Sequence, residues 1–469
     1  MTAPATGPAT TSGETGPVDL LVRGADLVAT VDAQRREIPG GWVAVRGGVI
    51  AAVGSGPEPA AAEVLDASGA LVTPGLVNTH HHLYQNLTRS FAPATTGTLF
   101  EWLTALYPRW AGLDEEGAYL SARVGLAELA LGGATTSTDH LYVAPRGAGD
   151  LWSAEIAAAR DVGLRFHPTR GSMTRSVKDG GLPPDSVVQD DDEVLADSER
   201  LVAAHHDPSP HAMTRVALAP CSPFSVSPEL MRRTAELAER LDVRLHTHLA
   251  EDADEDTYCL ETFGRRPVDQ FAEVGWLTDR AWVAHCLFPS DEEIVRLGAA
   301  GVGVAHCPSS NSMLGNARIA AVGELRAAGC PVGLGVDGSA ANDISSLWVE
   351  ARHALLIGRL RAGPAATTAR RVLEMATRDG ARCLGRAGEI GELTVGAAAD
   401  LVVWPQTGVA FAGALTDPVE AWLRCGPTTA RHTVVAGRPV VRDGVLVHAD
   451  TDDVLARHRR VAARIQGLA

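Results

Sequence analysis

The chain has 469 residues, more than a single hydrophobic core usually serves, so a large domain with a smaller companion is expected. Its 45% hydrophobic and 21% charged residues suit a water-soluble globular protein, and a formal net charge of −16 excludes the basic face that nucleic acid or an anionic membrane surface requires. Seven cysteines, odd in number and irregularly spaced, do not make a disulfide framework, and no run approaches the ~20 apolar residues that span a bilayer.

The opening MTAPATGPATTSGETGP has neither a basic start nor an apolar core, so it does not read as a secretory signal and points to the cytoplasm. Its Ala, Thr, Pro and Gly bury little surface, and residues 1–17 are expected to be a disordered tail. From Val18 the segments VDLLVRGADLVATVD, GGWVAVRGGVIAAVG and EVLDASGALV read as short strands between turns. The same character returns late in the chain, in ADLVVWP, ARHTVVAGRPVV and DGVLVHAD. Residues 18–72 and 395–450 are therefore expected to form one small β-sandwich domain built from both chain ends, with a helix over 451–469.

Residues 73–394 alternate strand, loop and helix. Strand candidates are LVTPGLVNT, GATTSTDH, LRFHPTR, RVALAP, VRLHTHLA, AWVAHC, VGVAHCP and PVGLGVD. Helices are expected over Pro228–Leu241 and Asp291–Ala299, with Ser227 and Ser290 as N-caps. Eight such units give an α/β fold, a (β/α)8 TIM-like barrel beside the small β domain.

In such a barrel the chemistry sits where strands end and βα loops begin. Strand one ends in Asn78-Thr79-His80-His81-His82, and alternation puts His80 and His82 on one face and His81 on the other. Strand five ends in His246-Thr247-His248 with Glu251 just beyond, strand six in His285, and strand eight in Asp337. Imidazoles plus a carboxylate suit Zn²⁺, or alternatively Fe²⁺, with a position left for water, whereas Ca²⁺ or Mg²⁺ would want more oxygens. A lone barrel histidine is more often a packing residue, which is the default for His167, His246 and His81.

The run Pro74-Gly75-Leu76-Val77-Asn78-Thr79-His80-His81-His82, with the late stretch GEIGELTVGAAADLVVW, resembles the amidohydrolase superfamily in its cytosine, guanine and S-adenosylhomocysteine deaminase branch. The similarity extends over almost all the chain after residue 17. It implies hydrolytic removal of an amino group from an aromatic nitrogen heterocycle, with one divalent metal held by His80, His82, His248 and Asp337. It further implies Glu251 as proton carrier, His285 and Asp337 as catalytic partners, and a homo-oligomer, a dimer or larger. Two-metal relatives use a carboxylated lysine after strand four, whereas Ala219-Pro220-Cys221 stands there and the single lysine, Lys178, lies elsewhere.

HHHLYQNLTRSF, TSTDHLYV, RFHPTRGSM, APCSPFSV and GVDGSAANDISS are most similar to the 8-oxoguanine deaminases, and some are shared with s-triazine hydrolases of the hydroxyatrazine type. Gln85 occupies the place of a base-reading glutamine of guanine deaminases. Cys221 replaces the arginine that those enzymes carry after strand four, which disfavours guanine itself. Trp110 and Tyr84 are candidate aromatic walls or core. Arg170 and Ser172 are candidate contacts to ring carbonyls or loop scaffolding, and His140 and His306 are substrate contacts or supports. With no lysine in the pocket, a small neutral heterocycle is preferred to a nucleotide.

Overall fold

The computed structural model describes residues 16–448 and 450–468, so the disorder expected for the first 17 residues lies outside them except at Gly16 and Pro17. Eight parallel strands close into a barrel: β1 (Leu76–Asn78), β2 (Ala134–Leu141), β3 (Arg165–Ser172), β4 (Ala217–Pro220), β5 (Arg244–Leu249), β6 (Ala281–His285), β7 (Gly303–His306) and β8 (Val332–Leu334). Each coincides with a strand candidate of the sequence, and β8 closes the ring on β1 through Leu334 and Asn78. The fold is a (β/α)8 barrel.

Local chemistry explains the intervening helices. Pro228–Leu241 starts with proline in its first turn, and the Ser227 hydroxyl accepts from Leu230 N at 2.9 Å. Asp291–Ala299 carries a reciprocal capping box between Ser290 and Glu293. The helix over Thr451–Gln466 buries Val454, Val461 and Ile465. Among the described residues no helix is long and apolar enough to cross a membrane.

The chain ends meet in two further sheets. Val18–Arg23, Gly41–Arg46, Val49–Ser55 and Ala61–Asp66 form one of four strands. In a second sheet of seven, Ala70–Pro74 pairs antiparallel with Leu401–Pro405. Val22, Val45 and Ile50 of the first sheet share one apolar cluster with Val72, Leu401 and Val434 of the second.

A buried ion pair clamps this layer to the barrel. Arg165, at the start of β3, reaches Asp400 through Nε at 3.0 Å and Nη2 at 3.1 Å, and neither residue is exposed beyond 1%. Asp400 Oδ1 also accepts from Ala436 N at 2.8 Å. Breaking a buried pair from one side strands the other charge, so Asp400→Ala should cost about 3–5 kcal/mol in chemical denaturation. A loss below about 1 kcal/mol would show that water or rearrangement compensates Arg165.

Candidate metal centre and substrate cavity

The C-terminal ends of the barrel strands turn sharply where the chemistry collects. Ala250, His285, Cys286 and Asp337 all adopt positive φ, between 51° and 68°. For residues other than glycine this costs on the order of 1–3 kcal/mol each, a strain that surrounding structure must hold in place. Beyond β1, His81-His82 pairs in parallel with Asp337-Gly338, which carries His82 and Asp337 to one rim of the barrel.

The imidazoles are oriented from behind. His82 Nδ1 lies 2.7 Å from the His140 carbonyl oxygen and His248 Nδ1 2.6 Å from that of Cys221. His246 Nδ1 lies 2.9 Å from the Trp282 carbonyl oxygen, which leaves its Nε2 to accept from His80 Nδ1 at 2.8 Å. A carbonyl only accepts, so each of His80, His82 and His248 carries its proton on Nδ1 and turns an Nε2 lone pair inward.

These lone pairs converge. His82 Nε2 stands 3.2 Å from His248 Nε2, and Asp337 Oδ1 lies 3.2 Å from His80 Nε2 and 3.3 Å from His82 Nε2. His80 Nε2 is buried without a hydrogen bond. Burial holds His80 well below the usual imidazole range and takes His248 down to about 3, so both are neutral at physiological pH. Burial opposes ionisation of Asp337, yet the adjoining imidazoles of His80, His82 and His285 hold its carboxyl well below the ordinary value. Two nitrogen lone pairs facing each other beside a carboxylate repel unless a cation lies between them. The donor set therefore fits a divalent metal, and mixed nitrogen and oxygen donors suit zinc or iron.

Contacts from His285, Ser310 and Glu251 complete the centre. His285 Nδ1 donates to Asn311 Oδ1 at 2.8 Å, leaving Nε2 3.5 Å from Glu251 Oε1 and 3.9 Å from Asp337 Oδ2. Ser310 donates to Asp337 Oδ2. Both partners come from the short helix Pro308–Met313. Glu251 sits on a turn that Glu255 fixes by accepting from the Ala250 and Glu251 amides, each at 3.0 Å. Burial, reinforced by the charge of Asp337, pushes the Glu251 carboxyl well above the usual range, which favours its protonated form.

A cleft enclosing about 430 Å³ of space, part of it open to solvent, lies over these groups. Gln85 and Cys221 line it beside His82, His248, Glu251, His285 and Asp337. Burial pushes the Cys221 thiol up to about 12, so it is neutral there. Gln85 is buried and its Oε1 has no partner, which leaves a carbonyl to meet a ligand. Gly338 makes room for it, since a Cβ there would stand 1.7 Å from Gln85 Oε1. Gly338→Ala should displace Gln85 and raise KM about tenfold or more, with a smaller change in kcat, in steady-state assays. An unchanged KM would remove Gln85 from substrate recognition.

Several candidate substrate contacts, Tyr84 and His306 among them, are not brought to this cavity. Trp110 lies one layer back, packed edge to face against Tyr84, Trp102 and Tyr107, with its Nε1 donating to Thr88 Oγ1 at 3.0 Å. Arg170 leaves the outer face of β3, donates to Asp197 at 2.8 Å and stacks 4.1 Å from the Trp152 ring. Ser172, two residues on, shares that strand parity and is buried outside the lining. His140 lies behind the lining, its ring stacked on His248 and its Nε2 donating to the Ala219 carbonyl at 2.9 Å. It groups instead with His80, His82 and His248 as a potential donor. The cavity walls not foreseen from the sequence include Trp102, Tyr107, Tyr142, Phe224 and Leu314.

A parallel barrel with converging His and Asp donors at its C-terminal mouth defines an enzyme built around a divalent metal. The chain belongs to the amidohydrolase family, which matches residues 71–445. It is 47% identical to an 8-oxoguanine deaminase of Pseudomonas aeruginosa over 93% of this chain and 97% of that one. It is 38% identical to a hydroxydechloroatrazine ethylaminohydrolase of Pseudomonas sp. strain ADP, over 91% of this chain and 87% of the relative. Among solved structures, the zinc complex of atrazine chlorohydrolase from Arthrobacter aurescens TC1 superposes with a TM-score of 0.90 at 34% identity, covering 94% of this chain and all of that one.

Proposed function

We propose that this protein is a zinc-dependent deaminase of a purine-like heterocycle, 8-oxoguanine, releasing ammonia and leaving a ring carbonyl. The observation that carries this reading is the conjunction, in one cavity, of the buried Glu251 carboxyl, the His285 imidazole and the unpartnered Gln85 carboxamide. The 47% identical relative supplies the substrate.

His80, His82, His248 and Asp337 hold the metal, with iron as the alternative ion. When bound, the ion supplies a Lewis acid that makes water nucleophilic at neutral pH. His285, with Nδ1 committed to Asn311, accepts the proton of the attacking water at Nε2, and Asp337 helps orient that water. Glu251 delivers its proton to the ring nitrogen beside the attacked carbon, so the ring never accumulates full negative charge. A proton passed to the exocyclic amine then lets ammonia leave. Gln85 offers both a donor and an acceptor to a base edge, while Trp102 and Tyr107 give the ring apolar walls. Neutral Cys221 places no charge against it, which favours an uncharged free base.

The 38% identical ethylaminohydrolase supports a second reading, release of an alkylamine from an s-triazine, because Leu99, Leu103 and Leu314 also line the cavity and could receive an alkyl group. Ammonia or alkylamine release should be followed with the zinc-loaded protein on 8-oxoguanine, guanine, isocytosine and hydroxyatrazine. A kcat/KM for 8-oxoguanine well above the others is expected. Turnover of hydroxyatrazine alone would transfer the assignment to the triazine reading.

A further inference from the structure

A second cavity, of about 290 Å³, lies away from the substrate cavity and shares no lining residue with it. His306, at the end of β7, lines it, with the helices Val322–Ala328, Leu347–Ala362 and Ala369–Glu374 around it. His306 is 2% exposed, and its Nδ1 is buried with no hydrogen-bond partner. A buried polar atom left unpaired costs about 1–3 kcal/mol, and a ligand that pairs it recovers that cost. Burial takes this imidazole down to about 4, so it is neutral and offers one N–H and one lone pair.

The rest of the lining indicates what such a ligand carries. Ile319, Val322, Ala354, Ile357 and Met375 make the walls apolar. Arginines stand at the rim, notable in a chain with a net charge of −16. Arg326 is tied to Glu374 and Asp379, and Arg361 to Glu324. Arg371 is exposed and has no carboxylate partner among the described residues. Glu324 also lines the cavity and is satisfied by Arg361, so Arg371 is the unpaired charge among the described lining residues, and with the imidazole and the apolar walls it calls for an amphipathic anion.

We propose that this cavity is a second ligand site, taking a small aromatic carboxylate whose ring bears a hydroxyl opposite the carboxylate. The hydroxyl meets His306, the ring lies between Ala354 and Met375, and the carboxylate pairs with Arg371. The site adjoins the chemistry without entering it, because His306 precedes by a few residues the helix Pro308–Met313 that carries Ser310 and Asn311.

The test is calorimetric titration of the zinc-loaded protein with 4-hydroxyphenylacetate, a readout independent of any deaminase activity. Saturable one-to-one binding is expected. Arg371→Gln, on an exposed position, and His306→Phe, which keeps the ring, should each weaken it about tenfold. Ala354→Trp, which fills the cavity, should abolish it. Phenylacetate should bind the unsubstituted protein more weakly than the hydroxylated probe, and the two should bind His306→Phe alike. Absence of saturable heat, or binding that neither Arg371→Gln nor His306→Phe weakens, overturns the proposal.

Discussion

Glu251→Gln should lower kcat by about 10²–10⁴-fold while leaving the metal content of the purified protein unchanged. The amide is nearly isosteric but has no acidic proton to give, and Glu251 lies outside the proposed ligand set. Its raised pKa also sets the direction of the pH dependence. The protonated form is the active one, so activity should fall as the pH rises through the Glu251 titration. Near-normal turnover by the metal-replete variant would remove Glu251 from the proton path. Loss of both metal and activity would show that it acts through the centre's integrity instead.

Removal of the metal should have the other large effect. A chelator-treated, metal-free preparation is expected to lose all measurable turnover and to melt at a lower temperature, with Zn²⁺ restoring both. The stability change follows from the cluster itself. Without a cation, the His82 and His248 lone pairs stand 3.2 Å apart beside an ionised, buried Asp337. At free metal a thousandfold above its dissociation constant, binding contributes about 4 kcal/mol. Full turnover in protein shown by elemental analysis to be metal-free would refute the metal-dependent mechanism.

Much of the barrel was legible in the sequence because its strands are short apolar runs that end in chemistry. His80, His82, His248, His285 and Asp337 were placed by one rule, that functional groups stand at strand ends, and by the two-residue alternation within a strand. In β3, by contrast, Arg170 and Ser172 fall on the outer parity and leave the substrate cavity. A one-residue change of parity inverts a strand's faces, and nothing in RFHPTRGS alone says which face is inward.

The aromatic wall was harder for another reason. Trp102, Tyr107 and Trp110 lie on the one helix Leu99–Trp110, and which of them meets the cavity depends on how that helix crosses the barrel mouth. That angle is set by tertiary packing, which sequence periodicity does not report. Asn311 and Ser310 escaped notice similarly, since their partners His285 and Asp337 are near only after folding.

The closure of β8 on β1 bears on how the protein matures. The hydrogen bond from Val336 N to Asn78 Oδ1 joins residues 258 apart in sequence, and Asp337 is the last of the proposed ligands to be synthesised. A ribosome-bound chain ending before β8 can present His80, His82 and His248 but not the carboxylate that completes their set. On the proposed ligand set, tight metal capture is expected only after closure, so the rate at which a refolding sample acquires its metal should follow the joining of the barrel's two ends.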